Sequence, residues 1–247
     1  KALEIDNLRE LWKYVPLPIA AGFGHEHFRA DFEHWLKQGF HGDMEWLNRN
    51  LDKRFDASLL HPNTKTVITV RMDYWPQDDA SMEVLTNPAK AYISRYALGR
   101  DYHKVLRKRL ANFATAIKDL AGEHEARPFV DSAPVMERQL AEQSGMGWIG
   151  KNTLLLSAGQ GSYFFLGELC TNLPLTFDEP VSQGHCGSCQ QCLIDCPTDA
   201  FVSAGVLDAS KCISYLTSEY DGSIPEALRS KMGNRIYGCD DCQLVGP

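Results

Sequence analysis

The first 169 residues contain no cysteine, although the chain carries eight. Thiolate chemistry is therefore confined to the C-terminal third, and a disulfide framework stapling the whole chain is excluded. Long hydrophobic runs are missing too. No stretch approaches the ~20 apolar residues that span a bilayer, and the N-terminus lacks the charged-then-apolar pattern of a signal peptide. The sequence predicts a soluble, cytoplasmic protein with no membrane partner, and a monomer is expected. Positive charge is in deficit, with 25 Lys and Arg against 32 Asp and Glu and a net charge of −7. A polynucleotide partner thus requires a local basic patch or a further segment. Internal repeats and low-complexity tracts are absent.

What is present divides in two. Seven of the eight cysteines fall between Cys186 and Cys242, which predicts a ligating module over 179–247 behind a body over 1–178. In the body, Leu8, Leu11, Trp12 and Val15 have helical spacing before Pro16, and a second helix is predicted from Glu26 to Gln38, ended by Gly39. Thr66 to Val70 reads as a buried strand, followed by a loop from Asp73 to Pro88. Asp101 to Leu120 is the clearest amphipathic helix. Leu106, Leu110, Phe113, Ile117 and Leu120 form one face, with Lys104, Arg107, Lys108 and Arg109 beside or opposite it. Phe129-Val130 reads as a strand delivering Asp131, and Met136 to Ser144 as a helix closed by Gly145. Thr153–Ser157 and Ser162–Leu169 read as a hairpin joined at Ala158-Gly159-Gln160-Gly161. The class is α/β, in the broad sense that includes α+β, followed by a loop-rich module. The chain opens at Lys1 without methionine and stops at Gly246-Pro247 inside a motif, from which a truncated C-terminus is expected.

The run Cys186-x-x-Cys189-x-x-Cys192-x-x-x-Cys196-Pro197 has the spacing of the bacterial ferredoxin motif, which binds iron-sulfur clusters and directs its fourth cysteine to a second cluster. Zinc is the competing reading, but zinc knuckles use well-separated C-x-x-C pairs. Gly145-Met-Gly147-Trp-Ile-Gly150-Lys151-Asn152 imitates two phosphate motifs and satisfies neither. As a dinucleotide fingerprint it follows a helix instead of a strand, and as a P-loop it has Asn152 where Ser or Thr is needed. Asp101-x-His103 is the start of a cobalt-ligating Asp-x-His-x-x-Gly loop, but Leu106 stands at the glycine position. His25-x-His27 lacks a third metal ligand nearby and reads as surface. Asp131, at a strand end before Pro134, is the best acid-base candidate, with helix capping as the structural alternative.

Together, Gly99-Arg-Asp-Tyr-His103, Val130-Asp131-Ser-Ala-Pro-Val-Met-Glu-Arg138, Gly147-Trp-Ile-Gly-Lys-Asn-Thr153, Leu166-Gly-Glu168 and the cysteine run resemble the epoxyqueuosine reductases, in order along nearly the whole chain. The resemblance implies reduction of epoxyqueuosine to queuosine at the wobble position of tRNA. It implies a nitroreductase-like cobalamin-binding core with no protein histidine on cobalt, a bacterial-ferredoxin-like module with two four-iron four-sulfur clusters, and an external low-potential electron donor. Asp131 matches the proton donor, for which burial near the corrin should raise the pKa. Asp101, Tyr102, His103 and Arg138 match substrate-pocket positions, and Lys151 and Asn152 are expected to contact cobalamin or the tRNA backbone. By the crossed ferredoxin pattern, Cys196, Cys212, Cys239 and Cys242 complete one cluster, while Cys186, Cys189 and Cys192 need a fourth ligand where Gly246 stands. Cys170 ends an apolar strand pattern and reads as a core thiol. The family's helical-repeat segment, which helps to hold tRNA, is not in the sequence. Two other readings share features: a reductive dehalogenase, which typically uses a tyrosine donor and an export leader, and a ferredoxin-type carrier, which needs no corrinoid pocket.

Overall fold

The structure, a computed structural model, describes residues 8, 11, 12, 19–20, 26–75, 80–181 and 184–246. In chain order the first part runs β1 (Ile19–Ala20), α1 (Glu26–Lys37), α2 (Leu51–Phe55), β2 (Thr66–Asp73), α3 (Ser81–Thr86), β3 (Tyr92–Ile93), α4 (Tyr102–Ala121), β4 (Ala126–Phe129), α5 (Glu137–Gln143), β5 (Trp148–Ile149), β6 (Leu155–Leu156) and β7 (Phe164–Thr171). The second part adds α6 (Gln191–Ile194), β8 (Phe201–Ser203), β9 (Val206–Leu207), α7 (Ile213–Ser218), α8 (Glu226–Met232), β10 (Arg235–Tyr237) and α9 (Asp241–Leu244). Most of the predicted first helix, together with His25 and the side chain of His27, lies outside the described residues.

The Val-, Ile- and Thr-rich β2 forms the middle of an antiparallel sheet of order β1-β2-β7-β4. It is buried on both faces along almost its whole length, which is why its sequence is β-branched throughout and not alternating. One face, with Ile68, Val70 and Leu169, packs on Leu106, Leu110, Phe113 and Ile117 of α4. Each such side chain contributes about 2 kcal/mol by leaving water. The other face carries Val67 and Cys170 against Phe129 and Leu140, the latter on α5. Gly167 lets α4 sit close, since a Cβ there would meet Leu106 at 2.9 Å.

Three sequence expectations change. Leu120 does not join the buried face of α4 and is 49% exposed, because the last turn of the helix runs past the sheet. The loop after Asp73 contains α3. Within Thr153–Ser157 only Leu155 and Leu156 are strand, and they pair with β5, not with β7. Gly147 makes that pairing possible: a Cβ there would lie 1.9 Å from the carbonyl oxygen of Leu156. The turn at Ala158–Gly161 does form, closing a single Ser157–Gly161 bridge.

The cysteine-rich part is tied to the body at several points. Trp35 of α1 and Met44 pack with Ile213, Tyr215, Leu216 and Met232. The Trp35 indole donates to the Leu207 carbonyl at 2.6 Å. Strand β10 pairs in parallel with β3. Among the described residues, no helix is long and apolar enough to cross a membrane.

Candidate functional site

Asp101 caps α4, accepting the backbone N–H of His103 at 3.1 Å, which fixes where the first turn of the helix points. The same carboxylate lies 3.0 Å from Nδ1 of His103, whose Nε2 lies 2.8 Å from Oδ1 of Asp131. The Tyr102 hydroxyl donates to the other oxygen of Asp131. Asp101, Tyr102, His103 and Asp131 are thus brought together by a helix start and the loop after β4. Asp131 is not a helix cap, since α5 begins at Glu137 after Met136. The Tyr102 ring is held at 4.0 Å in a near-parallel stack on Phe165 and also stacks on His103.

Charge accounts for the state of these groups. Burial, then the neighbouring Asp131 carboxylate, pushes the Tyr102 phenol up, so it stays a donor. His103, then Lys104, holds Asp101 below the usual carboxylate range. Both ring nitrogens of His103 thus face carboxylates. A corrinoid with no protein histidine on cobalt fits that donor set. Leu106, at the position where a histidine-supplying loop has glycine, is fully buried core.

Arg138 lies apart from this group, donating to the carbonyl of Thr153. Lys151 and Asn152 are not at the Asp131 group either. The Lys151 ammonium donates to the carbonyls of Gly187 and Cys189 at 2.8 and 2.7 Å, and buried Asn152 donates to the Cys242 carbonyl at 3.1 Å. The Gly147–Thr153 segment therefore grips both cysteine loops. Arg100, Lys104, Arg107 and Lys108 are exposed; Lys104 pairs with Asp101 at 3.4 Å, and Arg107 donates to Ser132 at 3.1 Å. Arg109 departs from that patch and turns half-buried to Met72.

The seven cysteines from Cys186 onward are all free thiols. Burial raises the Cys192 thiol, and after it the nearby Cys186 and Cys189. Burial raises Cys242 as well, followed by Cys212, Cys196 and Cys192. Cys192 thus has Cys186 and Cys189 for neighbours, and Cys242 has Cys212, Cys196 and Cys192. The Ala200 N–H donates to the Cys196 sulfur at 3.3 Å, a contact that favours a thiolate. Among the described residues no three His, Cys, Asp or Glu are gathered tightly enough to hold a single metal ion. A cubane spreads its ligands over separate corners, so sets of this kind fit a cluster. Cys170 is a core thiol pushed up to about 12 by burial.

Three functional candidates have no role in the sequence reading, although two of them, Glu137 and Glu168, lie in the motifs that carry the resemblance. Glu168, fully buried in β7, has neither carboxylate oxygen hydrogen-bonded to a donor group, and one oxygen of Glu137 is in the same condition. A lone acid in the apolar run Phe164–Thr171 is the signal that marks Glu168. Asp240, also fully buried, accepts from Tyr92 at 2.7 Å, Ser94 at 2.5 Å and the Arg95 N–H at 2.8 Å. It ties the Cys239–Cys242 loop to the segment leading into Asp101, and nothing in a C-x-x-C spacing announces it.

Comparison with known proteins adds an independent line. Residues 54–132 match the family described as "Epoxyqueuosine reductase QueG, DUF1730", and residues 185–247 match a "4Fe-4S double cluster binding domain". The chain is 54% identical over 218 residues to the epoxyqueuosine reductase of Pseudomonas aeruginosa, covering 88% of this chain and 60% of that protein. The solved epoxyqueuosine reductase of Streptococcus thermophilus superposes with a TM-score of 0.86 at 29% identity, over 98% of this chain and 64% of that one. An epoxyqueuosine reductase solved with an epoxyqueuosine-modified tRNA stem loop gives 0.85 at 30% identity, over 98% and 63%. The chain thus spans about 60% of the length of the curated relatives it matches.

Proposed function

We propose that this chain, which belongs to the epoxyqueuosine reductase family, reduces the epoxide of epoxyqueuosine to give queuosine at the wobble position of tRNA. The observation that carries the reading is Asp131, held between the Tyr102 hydroxyl and His103 at the open end of the sheet. Breaking an epoxide C–O bond with two electrons leaves an oxyanion that needs a proton, so an oriented acid must stand beside the electron source. Cobalamin, when bound, would supply the reducing equivalents, and the cysteines from Cys186 to Cys242 would hold the iron-sulfur clusters that connect it to an external low-potential donor. Asp131 delivers the proton to the departing oxygen. Tyr102 and His103 fix the direction of its carboxyl, and Asp101 fixes His103. Arg138 holds the 150–154 loop at the rim of the pocket.

In this reading the catalytic body spans 1–178 with a nitroreductase-like core, and the module over 179–247 holds the clusters. Lys151 and Asn152 act as struts between the two. The exposed Arg100, Lys104, Arg107 and Lys108 offer the anticodon arm a local basic patch on an otherwise acidic protein. The protein is cytoplasmic and works as a monomer. A chain that retains cobalamin through gel filtration, carries iron, and converts epoxyqueuosine in a tRNA stem loop under strong reductant supports this function. A chain that retains both cofactors and leaves the epoxide intact contradicts it.

Glycine stands at position 246, where the crossed ferredoxin pattern expects the fourth ligand to the set Cys186, Cys189 and Cys192. This set is expected to hold a three-iron core or an exogenous ligand, and Cys196, Cys212, Cys239 and Cys242 to hold a complete cluster. Gly246→Cys should raise the iron content by roughly one atom per chain and remove the electron paramagnetic resonance signal of an oxidised three-iron core. Two complete clusters in the unaltered chain, with no added ligand, would contradict it.

A further inference from the structure

We propose that Glu137 and Glu168 share one proton beneath Asp131 and pass it to Asp131 after Asp131 has protonated the epoxide oxygen. The proposal rests on the epoxide-reducing function above. Glu168 is on β7, opposite Thr69 of β2 and Phe129 of β4. Its side chain lies on the sheet face that also carries Cys170 and packs against α5, where Glu137 occupies the first turn. The Glu168 carboxyl is wholly removed from water, its oxygens have no donor partner among the described residues, and Glu137 is the ionisable group beside it.

Two carboxylates cannot both be ionised in such a place. Leaving one buried charge unpaired costs several kcal/mol, and a shared proton avoids the second. Burial, then the charge of Asp131, pushes Glu137 up to about 8. Burial, then Glu137, raises Glu168 well above the usual carboxylate range. Among the described residues, the charged and titratable groups facing the pair are Asp131 from the loop after β4, Tyr102 from α4, Arg138 from α5 and Cys170 from β7. Asp131 adds negative charge to the site, and Arg138 only partly offsets it.

The chemistry supplies the need. Removing an epoxide oxygen entirely as water takes two electrons and two protons, and Asp131 carries one proton at a time. After its first transfer Asp131 is a carboxylate. As Glu137 gives its proton to Asp131, solvent returns one at the partly exposed Glu137, so the pair keeps a single shared proton and is never doubly charged. Glu137 and Glu168 act through Asp131 and are positioning residues in this sense, with Asp131 alone reaching the substrate.

Infrared difference spectroscopy of the chain without cobalamin tests the shared proton, and the pH dependence of turnover by the loaded enzyme tests the relay. At neutral pH a protonated-carboxyl band is expected in the unaltered chain, shifted in Glu137→Gln and absent from the doubly substituted Glu137→Gln/Glu168→Gln chain. Glu137→Gln should lower kcat by about tenfold or more with KM unchanged. Activity should fall as pH rises through the range where the pair loses its proton. In Glu168→Gln, whose amide stabilises the Glu137 carboxylate, that limb should move to lower pH. No protonated carboxyl at neutral pH overturns the proposal, as does a Glu137→Gln enzyme with unaltered kcat and pH profile. If the unaltered enzyme reduces no epoxide, the proposed function fails instead, and the infrared band alone decides the shared proton.

Discussion

Asp131→Asn is expected to lower turnover ~10²- to 10⁴-fold, the range a positioned acid contributes, while cobalamin and the clusters are retained. The asparagine oxygen can still accept from Tyr102, and its amide still faces His103, so the substitution spares the surrounding geometry. What it removes is a dissociable proton at the one point where two side chains aim a carboxyl outward from the sheet end. Rates are to be read by nucleoside analysis of a modified stem loop, with bound cobalamin and iron measured on the same sample. Unaltered turnover would mean that the proton comes from another group, with Tyr102, half-buried and still protonated, the nearest alternative.

Asp240→Ala should be the most damaging single change to the fold outside the cysteines. It strips the acceptor from Tyr92, Ser94 and the Arg95 N–H at once, and Tyr92 and Ser94 are themselves buried. Bonds to a charged acceptor contribute more than neutral ones, and orphaned buried donors add their desolvation cost, so a loss on the order of 3–5 kcal/mol is expected. The midpoint of denaturant unfolding measures it. Because Asp240 sits between Cys239 and Cys242 and holds the segment before Asp101, iron content should fall with stability, and Asp240→Asn should lie between the two. A variant with the parent midpoint and full iron would remove Asp240 from the role of linking cluster loop to substrate loop.

The parts legible in the sequence are those written in local pattern. The face of α4 from Leu106 to Ile117 and the β-branched β2 follow from residue periodicity, and the structure has both. Asp131 was legible because a strand end followed by proline fixes a side chain in a rigid place. Its company was legible only in part. That His103 bridges two carboxylates depends on the α4 start meeting the loop after β4, a tertiary contact with no local signature. The hairpin partner of Leu155–Leu156 was misread for a similar reason. Turn chemistry at 158–161 signals a reversal, but the absence of a side chain at Gly147 decides which backbone comes close enough to pair. Lys151 and Asn152 were assigned to a cofactor by their place in a glycine-rich motif, and their hydrogen bonds to cysteine-loop carbonyls come from chain segments ~35 to 90 residues away. Glu168 and Asp240 bury charge against the usual hydrophobic rule, and such exceptions cluster where a fold carries out chemistry or holds its parts in register.

The most direct test of the account is a single-turnover reaction under anaerobic conditions, with the chain loaded with iron, sulfide and cobalamin and reduced before an epoxyqueuosine-bearing stem loop is added. The account predicts queuosine in the digested RNA from the unaltered chain and unreacted epoxyqueuosine from Asp131→Asn. Queuosine formed equally by both, or by neither while both cofactors are bound and reduced, would contradict it.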